Sequence, residues 1–217
     1  MTGIDRDEGL IRIDAAGVRL EGNLIVPGGA KGLVLFAHGS GSSRFSARNR
    51  HVAEELRKRS LGTLLIDLLS HDEELVDTRT AHLRFDIELL ADRLAGTAEW
   101  LVREHPRLKI GLFGASTGGA AALVTAARIP NRIHAVVSRG GRPDLAGESL
   151  PLVKAPTLLI VGGDDTPVIG MNQEAYDQMT CVRQMEIVPG ATHLFEEPGA
   201  LEEVARLAGE WFVKYLQ

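Results

Sequence analysis

Residues 109–118 of the chain read Lys-Ile-Gly-Leu-Phe-Gly-Ala-Ser-Thr-Gly. Residues 110–114 form an apolar run interrupted only by glycine, which is typical of a strand buried on both faces. The sequence that follows, to about residue 128, is rich in alanine and predicts a helix. A glycine-rich turn between a buried strand and a helix is typical of α/β proteins, whose ligands bind beyond the carboxyl ends of the strands.

The same alternation of strand and helix extends from this turn in both directions. The hairpin predicted at the start of the chain consists of residues 10–15 and 18–26, and residues 70–82 form a polar connection. The other predicted strands are 32–37, 61–69, 134–137, 157–161 and 185–188, and the other predicted helices are about 46–59, 84–103, 170–179 and a closing helix after residue 200. This order predicts an α/β fold with a mostly parallel sheet and helices on both faces. No linker or repeat interrupts it, so we expect a single domain, residues 1–217.

Composition and charge exclude several classes of protein. The chain has 217 residues, and its hydrophobic content of 44% is sufficient for a core without metal or disulfide support. Its net charge of −5 argues against a basic face for nucleic acid. No apolar run is long enough to cross a membrane. The single cysteine, Cys181, and the charged start of the chain, residues 1–7, predict a cytoplasmic protein without a signal peptide.

Residue types that cooperate in nucleophilic catalysis follow three of the predicted strands. Ser116 stands in a Gly-x-Ser-x-Gly pattern, whose glycines permit a tight turn that exposes the hydroxyl. Asp164 and Asp165 follow a later strand, and His193 follows the last one. A serine hydroxyl becomes nucleophilic when an imidazole takes its proton, and a carboxylate orients that imidazole. The order serine, aspartate, histidine therefore predicts acyl transfer on Ser116.

A second small-residue turn, His38-Gly39-Ser40-Gly41, follows the strand 32–37. Acyl transfer places negative charge on the carbonyl oxygen, and backbone N–H groups in an oxyanion hole stabilise that charge. We expect the N–H of Thr117 to be the first donor and that of Ser40 the second, with Gly41 as the alternative. A dinucleotide-binding turn would need glycine at position 44, where this chain has Arg44.

With these turns in place, the chain resembles the α/β-hydrolases, and within them the dienelactone hydrolase-like group. The resemblance covers nearly the whole chain, from the first hairpin to the last histidine. It implies a twisted, mostly parallel sheet of about eight strands with an antiparallel second strand. It also implies that Ser116 is the nucleophile and His193 the base.

The acidic turn carries the same resemblance. The family pattern Gly-x-x-Asp-x-x-Val falls on Gly162, Asp165 and Val168, which selects Asp165 as the orienting carboxylate over Asp164. Dienelactone hydrolases proper use a cysteine nucleophile, whereas this chain has serine. The resemblance therefore implies acyl hydrolysis and leaves the dienelactone substrate open.

Other residues beyond the strand ends are candidates for substrate binding. They are His38, Gly41, Arg139 and Arg142, the two arginines through a bidentate contact with a substrate carboxylate. The alternative for the arginines is a solvated loop with surface charges. Residues 138–156, which contain them, are too few for a substantial cap domain. His71 and His82 have no cysteine or paired acid at ligand spacing, so no metal is predicted.

Together these patterns predict a cofactor-independent serine hydrolase that cleaves small carboxylic esters or lactones, as a monomer or homodimer. Two alternatives stay open. One is an acyltransferase or perhydrolase with the same three residues and another acceptor. The other is a non-catalytic α/β-hydrolase-fold protein that binds a small molecule in the same pocket.

Overall fold

One twisted sheet of eight strands forms the centre of the protein, whose computed structural model describes residues 9–217. The prediction that residues 1–7 form no signal peptide lies outside the described residues. The strands are β1 (Leu10–Ala15), β2 (Val18–Ile25), β3 (Gly32–Ala37), β4 (Leu61–Ile66), β5 (Lys109–Ala115), β6 (Ile133–Arg139), β7 (Thr157–Gly162) and β8 (Arg183–Val188). The helices are α1 (Ala47–Lys58), α2 (His71–Thr80), α3 (Ile87–Glu104), α4 (Thr117–Arg128), α5 (Thr166–Gln178) and α6 (Ala200–Leu216).

The strands lie in the order β1-β2-β4-β3-β5-β6-β7-β8. β2 runs antiparallel to both of its neighbours, and all pairs from β4 to β8 are parallel. This confirms the predicted sheet of eight strands, with the second strand antiparallel. β3, β4 and β7 are buried along their whole length, because helices cover both faces of the sheet.

Two hydrophobic layers cover the faces of the sheet. One lies between the sheet and α3, α4 and α5, where residues such as Leu94, Leu123 and Ala175 are buried. The other lies against α1 and α6, where Phe36 and Phe113 from neighbouring strands meet with ring centroids 4.8 Å apart. Since both faces are closed, the open surface for a ligand is the edge at which the parallel strands end.

The connection predicted as polar over 70–82 contains a helix, α2, so that prediction was wrong. Ser70 and Glu73 form a reciprocal capping box at the start of α2. The Ser-x-x-Glu spacing in the sequence is typical of a helix N-terminus and therefore indicates this helix. The helix has no apolar stripe because Asp77 is its one buried residue. Hydrophobic periodicity therefore could not reveal it.

Several other boundaries differ from the sequence-based expectation: α5 begins at Thr166 and not at about 170, and β4 ends at Ile66 and not at 69. α3 begins at Ile87, after a 3₁₀ turn at Leu83–Phe85, and the loop 138–156 contains a 3₁₀ segment at Pro143–Leu152. That segment is short and adds no large cap to the site, as expected. None of the helices within residues 9–217 has the length and apolar character needed to span a bilayer.

Candidate active site

Ser116 lies at the sharp turn between β5 and α4. Its backbone has φ 51° and ψ −122°, a conformation that is strained for any residue with a side chain. Gly118 makes this turn possible, because a Cβ atom there would lie 2.3 Å from the carbonyl oxygen of Ala37 in β3. The strained turn holds the serine at the end of the central strands, as the Gly-x-Ser-x-Gly pattern predicts.

His193 and Asp165 meet from two neighbouring strand ends. Nδ1 of His193 lies 2.7 Å from Oδ2 of Asp165, and the carboxylate is more buried than the ring. The N–H of Asp164 donates to the carbonyl of Ala191 at 3.0 Å. This bond connects the acidic turn, residues 163–165, to the loop that carries His193, residues 189–199, which we call the histidine loop. Asp164 itself is exposed, so the carboxylate in contact with His193 is that of Asp165.

The histidine loop and the serine turn meet at the end of β6. The N–H of Ser116 donates to the carbonyl of Arg139 at 3.3 Å. At the next residue, Gly140, an added Cβ would lie 3.6 Å from Cε1 of His193. The chain thus brings the three predicted residues, Ser116, Asp165 and His193, to one region at the carboxyl ends of β5, β7 and β8.

Backbone donors surround the serine on the side of β3. Thr117 is the first residue of α4. The first N–H groups of a helix have no acceptor within the helix, so that of Thr117 is available. Gly39 lies directly beside the serine, since a Cβ there would be 3.0 Å from Cβ of Ser116. The carbonyl of Gly39 accepts from Nδ1 of His38 at 2.9 Å and from the N–H of Ser42 at 3.1 Å.

These bonds orient the peptide that joins Gly39 to Ser40. In a trans peptide the C=O and N–H point in opposite directions, so the N–H of Ser40 points away from His38. The Gly39–Ser40 peptide is therefore held in one orientation by His38 and Ser42. Nε2 of His38 accepts from the N–H of Leu68 at 3.1 Å. Because both ring nitrogens are bonded to the backbone, His38 positions the turn.

Burial lowers the pKa of His38 below its ordinary value, and this outweighs the bond to Gly39 and the nearby carboxylates of Asp67 and Glu74. The ring is therefore neutral at pH 7, with a proton on Nδ1 as the bonding pattern requires. A neutral ring with both nitrogens engaged has no free group for a ligand. His38 thus holds the turn 39–42 in place.

The two arginines predicted as substrate contacts lie in different surroundings. Arg142 forms a bidentate ion pair with Asp144, with N···O distances of 2.9 and 2.8 Å, and this pair occupies one edge of its guanidinium. Arg139 is buried, contacts Asn49 at 3.4 Å and lies over the ring of Phe195. Burial, and then the nearby charge of Arg48, lower the pKa of Arg139 to about 10.

A cavity of about 200 Å³ lies beside Thr117 and the turn 39–42. Its lining includes Gly39, Ser40, Gly41 and Thr117, together with Asp67, Glu74, Asp77 and Arg84. Arg139 and Arg142 do not line it. The charged residues of α2 and the following turn are not among those predicted from the sequence, although the capping box at Ser70 marks the helix that presents them.

Cys181 lies apart from this site. It is half-buried, its Sγ is 3.9 Å from Oγ1 of Thr157, and burial raises the pKa of its thiol. A raised thiol pKa reduces the thiolate fraction and with it the reactivity. Among residues 9–217, no group of three or more histidine, cysteine or acidic side chains is arranged to hold a metal ion.

Comparison with known proteins gives consistent results for the family. Residues 71–215 match the model of the dienelactone hydrolase family. A protein of Mycobacterium tuberculosis named "Putative phosphoribosyl transferase" is 54% identical over 213 residues, which are 97% of this chain and 47% of that protein. The chain therefore spans about half the length of the curated relative that it matches.

Solved structures agree with the family model. The crystal structure of a dienelactone hydrolase from Anabaena variabilis is 60% identical, with a TM-score of 0.94, and the match covers 96% of this chain and 97% of that one. A lidless α/β serine hydrolase from Xanthomonas campestris is 18% identical, with a TM-score of 0.76 over 98% of this chain and 97% of that one. At that identity the second match shows a shared fold.

Proposed function

This chain belongs to the dienelactone hydrolase family, and from that premise we propose that it is a serine hydrolase that cleaves small carboxylic esters or lactones through Ser116. Family membership supports hydrolase chemistry. The ester or lactone substrate and the roles of individual residues are our proposal. They rest on the geometry of the serine turn, the histidine loop and the acidic turn.

In the proposed first step, Oγ of Ser116 attacks the carbonyl carbon of the substrate. Nε2 of His193 takes the hydroxyl proton, and Asp165 accepts the Nδ1–H bond and stabilises the imidazolium. The carbonyl oxygen becomes an oxyanion, to which Thr117 and Ser40 donate their N–H groups. When the tetrahedral intermediate collapses, the C–O bond to the alcohol breaks and His193 returns the proton to the leaving oxygen.

The second step reverses these roles with water as the nucleophile. His193 takes a proton from water, the hydroxide attacks the acyl carbon, and the bond to Ser116 breaks. The proton returns to Oγ of Ser116, which releases the acid and restores the enzyme. No cofactor enters either step.

The contact between His193 and Asp165 carries this proposal. A distance of 2.7 Å fixes the proton on Nδ1 and leaves Nε2 free to act as a base. A strained serine turn and such a histidine at neighbouring strand ends are expected for acyl transfer. The transferase activity in the name of the mycobacterial relative concerns a protein of which this chain matches less than half, so it supports no proposal here.

A fluorophosphonate probe tests the proposal directly. It should label Ser116, and Ser116→Ala should abolish both the label and the hydrolysis of p-nitrophenyl acetate. Ser60→Ala is the matched control, because Ser60 is exposed and precedes β4, at the opposite end of the sheet. Peptide mapping that locates the label on another serine, or finds none on folded protein, would contradict the mechanism.

A further inference from the structure

The cavity beside the oxyanion turn is lined by polar and charged groups as well as by apolar surface. Leu69 and Leu90 are its large apolar contacts, whereas Glu74, Asp77, Arg84 and hydroxyl-bearing residues form much of the rest. Its lining includes Ser40 and Thr117, whose N–H groups are the proposed oxyanion donors. A substrate held in the oxyanion hole would therefore extend either its acyl or its alcohol part into this cavity.

The carboxylate of Asp77 forms hydrogen bonds with the segment that carries Arg84. Its carboxylate accepts the N–H groups of Leu83 at 2.7 Å and Arg84 at 3.2 Å, together with Nε of Arg84 at 2.5 Å. Burial would raise the pKa of Asp77, but the hydrogen bonds from Arg84 and Leu83 outweigh it and lower the pKa. Asp77 is thus a charged, fully engaged anchor that fixes the position of the guanidinium.

This anchoring leaves one end of Arg84 available. Nε and Nη2 bond to Asp77, through its carboxylate and its backbone carbonyl, while Nη1 lies 3.5 Å from the position of a Cβ on Gly41. The edge of the guanidinium formed by Nε and Nη2 is therefore already occupied by Asp77. The N–H groups of Nη1 remain and can donate to an acceptor such as a hydroxyl or carbonyl oxygen.

The charges that line the cavity leave one negative group uncompensated. Asp77 is paired with Arg84, and Asp67 with Arg44. Glu74 is exposed and forms no ion pair or side-chain hydrogen bond within residues 9–217. Since the His38 ring is neutral at pH 7, the cavity as a whole repels an anion and offers a carboxylate acceptor to a donor.

From this arrangement we propose that the cavity is the subsite for a neutral, hydroxyl-bearing part of the substrate, with Arg84 donating to one oxygen and Glu74 accepting from a hydroxyl. The proposal rests on the serine hydrolase function above and defines its substrate class: esters of polyhydroxy alcohols or of hydroxy acids. An alkyl group would remove water from Arg84 and Glu74 without replacing its hydrogen bonds. A carboxylate would face Glu74.

Five esters test this substrate class. Four of them form two matched pairs, and the fifth carries a carboxylate. Butyl acetate and glyceryl monoacetate differ on the alcohol side, methyl butyrate and methyl 3,4-dihydroxybutyrate differ on the acyl side, and monomethyl succinate carries a carboxylate. In pH-stat titrations of the wild-type protein, kcat/KM should favour the hydroxylated ester of at least one pair by about tenfold or more, because a polar site left unpaired discriminates strongly. The pair that discriminates identifies which half of the substrate enters the cavity.

Charge removal at Glu74 gives a second measurement. Glu74→Gln should raise kcat/KM for monomethyl succinate relative to glyceryl monoacetate by about tenfold, since it removes the repulsion and keeps an acceptor. Asp72→Asn is the matched control. It removes one negative charge from the same helix without touching the cavity, and it should leave the ratio unchanged.

The possible outcomes distinguish failure of the subsite from failure of the proposed function. Hydrolysis of p-nitrophenyl acetate with no preference in either pair, or with monomethyl succinate as the best ester, would overturn the subsite and leave the hydrolase intact. An equal response of the Glu74 and Asp72 variants would also refute it, because the effect would then be general charge. A protein that cleaves none of these esters and takes no fluorophosphonate label would overturn the subsite together with the proposed function.

Discussion

Nδ1 of His193 lies 2.7 Å from Oδ2 of Asp165, although 28 residues separate the two in the chain. The contact forms because β7 and β8 are parallel neighbours whose carboxyl ends open at the same edge of the sheet. Gly162 permits the close approach, since a Cβ there would lie 2.4 Å from the carbonyl oxygen of Ala191. The acidic turn and the histidine loop are thus held together by backbone packing as well as by the side-chain contact.

Replacing Asp165 by Asn should lower kcat by about four orders of magnitude, because an amide no longer holds the imidazole in the productive tautomer. Steady-state hydrolysis of p-nitrophenyl acetate measures the loss. Asp164→Asn is the control and should have a far smaller effect, since Asp164 is exposed and does not contact His193. The reverse ranking would assign the orienting role to Asp164.

Gly118→Ala should reduce both stability and activity. The added methyl group meets the backbone of Ala37 and His38, so the start of the oxyanion turn must move, and overpacking of this kind costs about 1–3 kcal/mol. Chemical denaturation and kcat/KM measure the two effects. Gly170→Ala should have the opposite sign, because a Cβ there meets nothing within 4 Å and α5 gains up to about 1 kcal/mol of helix propensity. Similar effects of the two substitutions would contradict this account.

His38 should make the free energy of unfolding depend on pH. Burial lowers its pKa in the folded protein, so the unfolded chain binds more protons below its own pKa of about 6.5. The stabilisation is therefore present above that pH and is lost as the pH falls below it. Denaturation from about pH 7 down to about pH 5 should show the loss in the wild type and a smaller loss in His38→Asn.

His134 provides the control for that measurement. Partial burial lowers its pKa as well. His134 lies near the start of β6, at the opposite end of the sheet from Ser116, and accepts a hydrogen bond from the N–H of Ile110. His134→Gln should therefore flatten the pH dependence of stability while kcat/KM is retained. His38→Asn should also lower kcat/KM, because the oxyanion turn loses its support. Retained activity in the His38 variant would show that the ring does not position that turn.

Simple alkyl esters should show little gain from long acyl chains. Each buried methylene contributes about 0.8 kcal/mol, which would raise kcat/KM about fourfold per carbon if the chain were enclosed. The 3₁₀ segment at Pro143–Leu152 is too short to enclose a long chain, and the charged residues Glu74, Asp77 and Arg84 line part of the cavity at the oxyanion turn. Acetyl to hexanoyl p-nitrophenyl esters should therefore be the best of the series. A steady rise through dodecanoyl would show that another segment encloses the acyl chain.

The amino-acid sequence by itself determined the α/β architecture and the order of the reacting residues. Buried parallel strands are apolar on both faces, and the serine turn needs small residues where backbones approach closely, so both leave local patterns in the chain. The run 109–118 carries both patterns. Because parallel strands end at one edge, residues placed after β5, β7 and β8 could be expected to meet there.

Only the tertiary structure decided which charged side chains reach the cavity. Asp77 and Arg84 come from a segment without hydrophobic periodicity, held by an ion pair and a capping box, and no spacing in the chain relates it to the oxyanion turn. The tertiary structure also separates Arg139, buried beneath the histidine loop, from Arg142, which is paired with Asp144. The direction of a long charged side chain depends on partners from other elements, whereas the position of a strand or of a strained turn depends mainly on its own residues.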